Sequence, residues 1–90
     1  MEFDDLEFEQ LEFDGYTSRA IVNFDNGYGA SIVTGGMTYT NDDGPYELAV
    51  LDKGKITYAT PITDDVIVYL TESEVMDLLK KISLLSREEN

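Results

Sequence analysis

Ninety residues with 42% hydrophobic and 28% charged side chains fit one globular domain with a single modest core. Nineteen Asp and Glu against six Lys and Arg give a net charge of −13, which excludes nucleic acid and anionic membranes as direct ligands, because both call for a basic footprint. With no cysteine, no histidine and no run of eighteen apolar residues, the chain has no disulfide, no zinc–thiolate site, no imidazole base and no membrane-spanning helix to offer.

Residues 1–15 carry seven acids and no base. This start lacks the basic-then-apolar pattern of a secretory signal, which fits a cytoplasmic setting. Leu6-Glu7-Phe8-Glu9-Gln10 and Leu11-Glu12-Phe13-Asp14-Gly15 nearly repeat. Within each unit apolar residues alternate with acids, a strand pattern, although one helical turn in residues 4–10 is an alternative. Apolar parity changes between the units, so a bulge or bend near Gln10 is expected. On a strand, acids of one face would stand about 6.6 Å apart, and Glu7, Glu9, Glu12 and Asp14 would form a regular anionic array.

Residues 19–33 read as a β-hairpin. Ala20-Ile21-Val22-Asn23-Phe24 and Tyr28-Gly29-Ala30-Ser31-Ile32-Val33 flank Asp25-Asn26-Gly27. Asn-Gly favours a type I′ turn with positive φ at both central residues. A two-residue loop would set Gly29 opposite Phe24. Met37-Thr38-Tyr39-Thr40 reads as a short further arm, and Asn41-Asp42-Asp43-Gly44-Pro45 as a turn. Tyr46-Glu47-Leu48-Ala49-Val50-Leu51 is a strand with Tyr46, Leu48 and Val50 on one face. After the turn Asp52-Lys53-Gly54-Lys55, Ile56-Thr57-Tyr58-Ala59 returns, so residues 20–59 make a meander of about four antiparallel strands.

Pro61 ends the sheet. Residues 63–70 suit either a buried strand or a helix start, with β-branching in favour of the strand. Thr71-Glu72-Ser73-Glu74 is a capping box. Val75, Leu78, Leu79 and Ile82 then share one face of a helix over residues 72–84. The domain is therefore α+β: an acidic segment (1–15), a twisted antiparallel sheet of about four to five strands (16–70), one C-terminal amphipathic helix packed on a face (71–85) and a tail (86–90).

Nothing in the sequence points to catalysis or a cofactor. Gly27-Tyr28-Gly29 and Gly35-Gly36 lack the lysine and following helix of a phosphate loop. Asp42-Asp43 and Asp64-Asp65 sit where turns and caps favour aspartate, and residues 41–44 lack EF-hand spacing. The six tyrosines suit cross-strand packing. Tyr28 and Tyr39, beside turns, are the two placed to anchor an interface.

The stretches 26–33, 46–51 and 60–71 (Asn26-Gly27-Tyr28-Gly29, Tyr46-Glu47-Leu48-Ala49, Thr60-Pro61-Ile62-Thr63-Asp64-Asp65-Val66) resemble a group of small phage-encoded proteins of unassigned role. The resemblance covers roughly residues 16–83 and leaves out the first fifteen. Similar sequences favour a glycine in the stretch 67–69, where this chain has Val68. By analogy with acidic phage inhibitors, it implies an anti-CRISPR or anti-restriction protein that imitates DNA. The expectation is a non-enzymatic inhibitor whose partner is the basic surface of a nucleic-acid-binding host complex. Its contact residues would be Glu7, Glu9, Glu12, Asp14, Asp42 and Asp43, with Tyr28 or Tyr39 as anchor. The alternative is an assembly protein acting through self-association or edge-strand pairing.

Overall fold

The computed structural model describes residues 2–11, 17–35, 44–62 and 65–86. A 3-10 turn, Phe3–Asp5, precedes β1 (Glu9–Gln10), β2 (Ser18–Asn23), β3 (Tyr28–Thr34), β4 (Tyr46–Asp52), β5 (Lys55–Ile56), β6 (Ile67–Leu70) and α1 (Glu72–Ser83). All strand pairs are antiparallel, and β1 to β4 follow one another across the sheet. Both remaining strands pair with the far edge of β4: β6 beside its first half, β5 beside its second. The sheet therefore does not end at Pro61, and residues 67–70 take the strand alternative. The Thr57 amide continues the β5 ladder to the Val50 carbonyl (2.9 Å), but residues beyond it leave the sheet.

Register places Ala20, Ala30, Ile32, Leu48, Val50 and Leu70 on the face beneath α1. Val75, Leu79 and Ile82 of the helix are fully buried against them. Burying those three side chains supplies about 1.5–3 kcal/mol each, against about 1 kcal/mol for a helix cap. Packing therefore holds α1, and the cap sets where it begins. Thr71 Oγ1 accepts from the Glu74 amide (3.2 Å) and Glu74 Oε1 from the Thr71 amide (3.0 Å), the reciprocal box that the sequence predicts.

The hairpin forms, but with a different turn. Asn23 pairs with Gly29, and the Phe24 amide bonds the Tyr28 carbonyl at 2.8 Å. The loop is thus three residues, Asp25-Asn26-Gly27, and Gly29 stands opposite Asn23 rather than Phe24. Only Gly27 takes the left-handed conformation there (φ 86°), as three-residue loops with a glycine in the last position do. Asn26 is not spent on a type I′ turn. Its Oδ1 accepts from the Tyr28 amide (3.0 Å), and its Nδ2 donates to the carbonyls of Ile82 (2.9 Å) and Leu85 (3.1 Å) at the end of α1. The hairpin tip also accepts the Lys53 amide on the Gly27 carbonyl (2.9 Å). One loop thereby ties together the end of the helix and the β4–β5 turn.

Residues 2–11 are not one long strand. The alternation Leu6 in, Glu7 out, Phe8 in, Glu9 out is present, and it breaks at Gln10, which is exposed like Glu9. Only Glu9–Gln10 joins the sheet, because Phe3 and Phe8 turn under it to pack on Tyr46. Their ring centroids lie 5.0 and 6.0 Å from that of Tyr46.

β6 carries one extra residue between its pairings, Leu48↔Ile67 and Tyr46↔Leu70. Tyr69 takes up the excess with φ 58°. Gly44 lies flat against the Tyr69 backbone, where any β-carbon would collide. The face away from α1 holds Ile21 and Ile56, 47% and 55% exposed, on either side of a shallow groove floored by Ser31 and Leu51.

Candidate interaction surface

The aromatic cluster of Phe3, Phe8 and Tyr46 fixes where the acidic N-terminal segment lies. It sits at the start of β4, which is also where β6 ends (Tyr46↔Leu70) and α1 begins. Glu2, Asp4, Asp5 and Glu7 are exposed on the segment, and Glu72 and Glu74 are exposed in the first turn of the helix. Burial, and then the negative charge of Glu72, push the Tyr46 phenol above its ordinary value of 10.0. Tyr46 thus packs against the N-terminal segment through Phe3 and Phe8 and pairs with Leu70, two residues before Glu72. Six acids separated in sequence by some seventy positions therefore share one end of the molecule.

Two of them also have local work. Asp5 Oδ2 accepts from the Glu2 amide at 2.7 Å, and Glu74 closes the helix capping box. Among the described residues no group of three or more acids converges as a metal cage. The acids are spread over a surface rather than converging on one point.

The other end of the molecule carries bases. β4 runs six residue steps from Tyr46 to Asp52, about 20 Å of strand. Beyond it lie Lys53 and Lys55, and the hairpin tip connects them to the end of α1, where Lys80 and Lys81 are exposed. Four of the six basic residues thus gather at one pole, with Asp25 and Asp52 near them. Among the described residues, exposed acids thus concentrate at one end of β4 and lysines at the other, in a molecule of 43 × 25 × 25 Å.

This arrangement sorts the residues that the sequence singles out. Glu7 lies exposed at the acidic pole. Glu9 is exposed too, and its ladder partner is Arg19. Tyr28 pairs with Asp52 at the opposite pole and packs half-buried against the core; the fold does not bring it to the acids. Glu12, Asp14, Tyr39, Asp42 and Asp43 lie outside the described residues. Their described flanks are at the acidic end: the Leu11 amide bonds the Thr17 carbonyl (2.7 Å), and Thr34 Oγ1 donates to the Pro45 carbonyl (2.5 Å).

Sequence reasoning missed Glu2, Asp4, Asp5, Glu72 and Glu74 as members of this surface. The apolar spacing of Phe3 and Phe8 announces a buried side but not its partner. No helix among the described residues is long and apolar enough to cross a membrane. No protein-family model, curated protein or solved structure matches the chain.

Proposed function

We propose that this is a non-enzymatic binding protein whose acidic pole occupies the basic nucleic-acid-binding surface of a host defence complex, in the manner of an anti-CRISPR or anti-restriction inhibitor. The observation that carries the reading is the concentration of charge. Six exposed acids stand at one end of a −13 chain, on a scaffold pinned by aromatic packing. A duplex also presents rigid, closely spaced negative charge. A protein surface of that kind raises association rates with a basic groove by ~10–10³-fold and repels nucleic acid itself. The complementary partner is therefore a protein rich in Lys and Arg.

The test is capture of bacterial lysate proteins on the immobilised chain, followed by elution with duplex DNA or with salt. A nucleic-acid-binding complex displaced by both is expected. Reversing Asp4 and Glu7 to Lys should abolish capture. Reversing Asp25 and Asp77, the same change in net charge placed elsewhere, should spare it. Equal loss in both variants, or a partner indifferent to DNA, overturns the proposal.

A second reading, assembly through self-association, draws on Ile21 and Ile56, which stand half-exposed on the face opposite α1. It requires oligomers that persist when salt is raised.

A further inference from the structure

Asn-Gly is chemically the most labile asparagine context, because glycine leaves the following amide free to approach the side chain. In an open chain the Gly27 amide nitrogen attacks Asn26 Cγ. The N–Cγ bond forms, the Cγ–Nδ2 bond breaks, and Nδ2 departs as ammonia with the Gly27 amide proton. Solvent water then opens the succinimide, leaving aspartate or isoaspartate. The net exchange is one water taken up for one ammonia released.

Each atom this reaction needs is held elsewhere by the fold. The Gly27 amide donates to the Phe24 carbonyl (3.1 Å). Asn26 Oδ1 accepts from the Tyr28 amide (3.0 Å). Asn26 Nδ2 donates to the Ile82 and Leu85 carbonyls at 2.9 and 3.1 Å. The nucleophile and the leaving group are thus tied to different parts of the fold. The second tie crosses from the hairpin to a helix end 56 residues away in sequence.

The product cannot repeat the two bonds that Nδ2 donates. A carboxylate has no proton to donate, so it would face two carbonyl oxygens as a fellow acceptor. It would also place negative charge at the negative end of the helix dipole.

We propose that Asn26-Gly27 is a latent deamidation site that folding keeps closed, and that its conversion releases the C-terminal end of α1 from the hairpin. Local opening of the tip is then the step that permits the reaction, and each conversion makes reopening easier. The device is one-way: a folded molecule is protected, and one that has opened is marked. This inference stands apart from the acidic-pole reading, since it uses the opposite end of the molecule.

The experiment is peptide mapping by mass spectrometry after incubation at mildly alkaline pH, in buffer and in denaturant. Asn23, which precedes Phe24, is the internal control. In denaturant Asn26 should convert far faster than Asn23. In buffer its conversion should slow by at least about tenfold, the protection that a local opening step confers. Equal rates at Asn26 in the two conditions overturn the protection. Asn26→Asp, the direct product, should fold with a lowered Tm and with faster amide exchange at the end of α1 than at its start. A variant as stable as the parent at neutral pH overturns the release of the helix end.

Discussion

Tyr69 is the residue at which local sequence and global fold disagree. Its position in β6 favours a β-branched or aromatic side chain, yet its φ of 58° belongs to glycine. The bulge imposes that conformation: three steps of β6 must match two of β4, and Gly44 is packed on the Tyr69 backbone from the other side. Two substitutions separate the effects, since both remove the ring. Strand propensity alone makes Tyr69→Val the more stable of Tyr69→Val and Tyr69→Gly. The left-handed conformation reverses the order, and Tyr69→Gly should exceed Tyr69→Val by about 1–2 kcal/mol in urea unfolding. The sequence carries no local sign of this bulge, because Ile67, Val68 and Tyr69 all suit a regular strand. Asn26 teaches the same lesson. Asn-Gly correctly marks a hairpin, but its turn type follows from helix carbonyls that no local window contains.

Among the elements, α1 was the most legible, because everything that defines it is local. The capping box, the spacing of Val75, Leu79 and Ile82 and the charge order from Glu72 to Lys81 all lie within twelve residues. The N-terminal segment was half legible. Its change of parity at Gln10 survives, but its departure from the sheet depends on Tyr46, some forty residues on. That docking can be read by titration. Burial first, and Glu72 second, hold the Tyr46 phenol protonated beyond its ordinary range. The folded state then keeps a proton that the unfolded chain gives up near pH 10. The sign follows by linkage: the stabilisation is complete below that value and is lost as pH rises through the folded value. Tyr46→Phe keeps the ring cluster and removes the phenol. Its Tm should fall less steeply than that of the parent above pH 10, and the parent should show one late step in phenolate absorbance. Parallel Tm profiles would mean that the segment leaves Tyr46 open to water.

At the scale of the whole molecule, the α+β meander was legible because strand periodicity and turn chemistry are short-range. The charge layout was not. Composition reveals −13 but not that the N-terminal acids and the helix acids meet, nor that four lysines gather at the far pole. Such packing of like charge works against the fold through self-repulsion. The opposing pole relieves little of it, since about 20 Å of strand exceeds the ~8 Å screening length at physiological salt. At 0.01 M salt that length grows to ~30 Å, comparable with the 43 Å long axis of the molecule. Each acid then feels nearly all the others. Adding sodium chloride to a low-salt solution should therefore raise Tm, steeply at first and then to a plateau. Relief of 1 kcal/mol reads as ~4–8 °C in a domain of this size. Chloride is the anion to use, because sulfate strengthens apolar burial in any protein. Asp4→Asn with Glu7→Gln should reduce the rise more than Asp25→Asn with Asp77→Asn, although both remove two charges. The first pair thins the acidic pole, and the second leaves it intact. Equal effects would mean that the repulsion follows total charge alone, and a Tm indifferent to chloride would mean that the pole carries no strain.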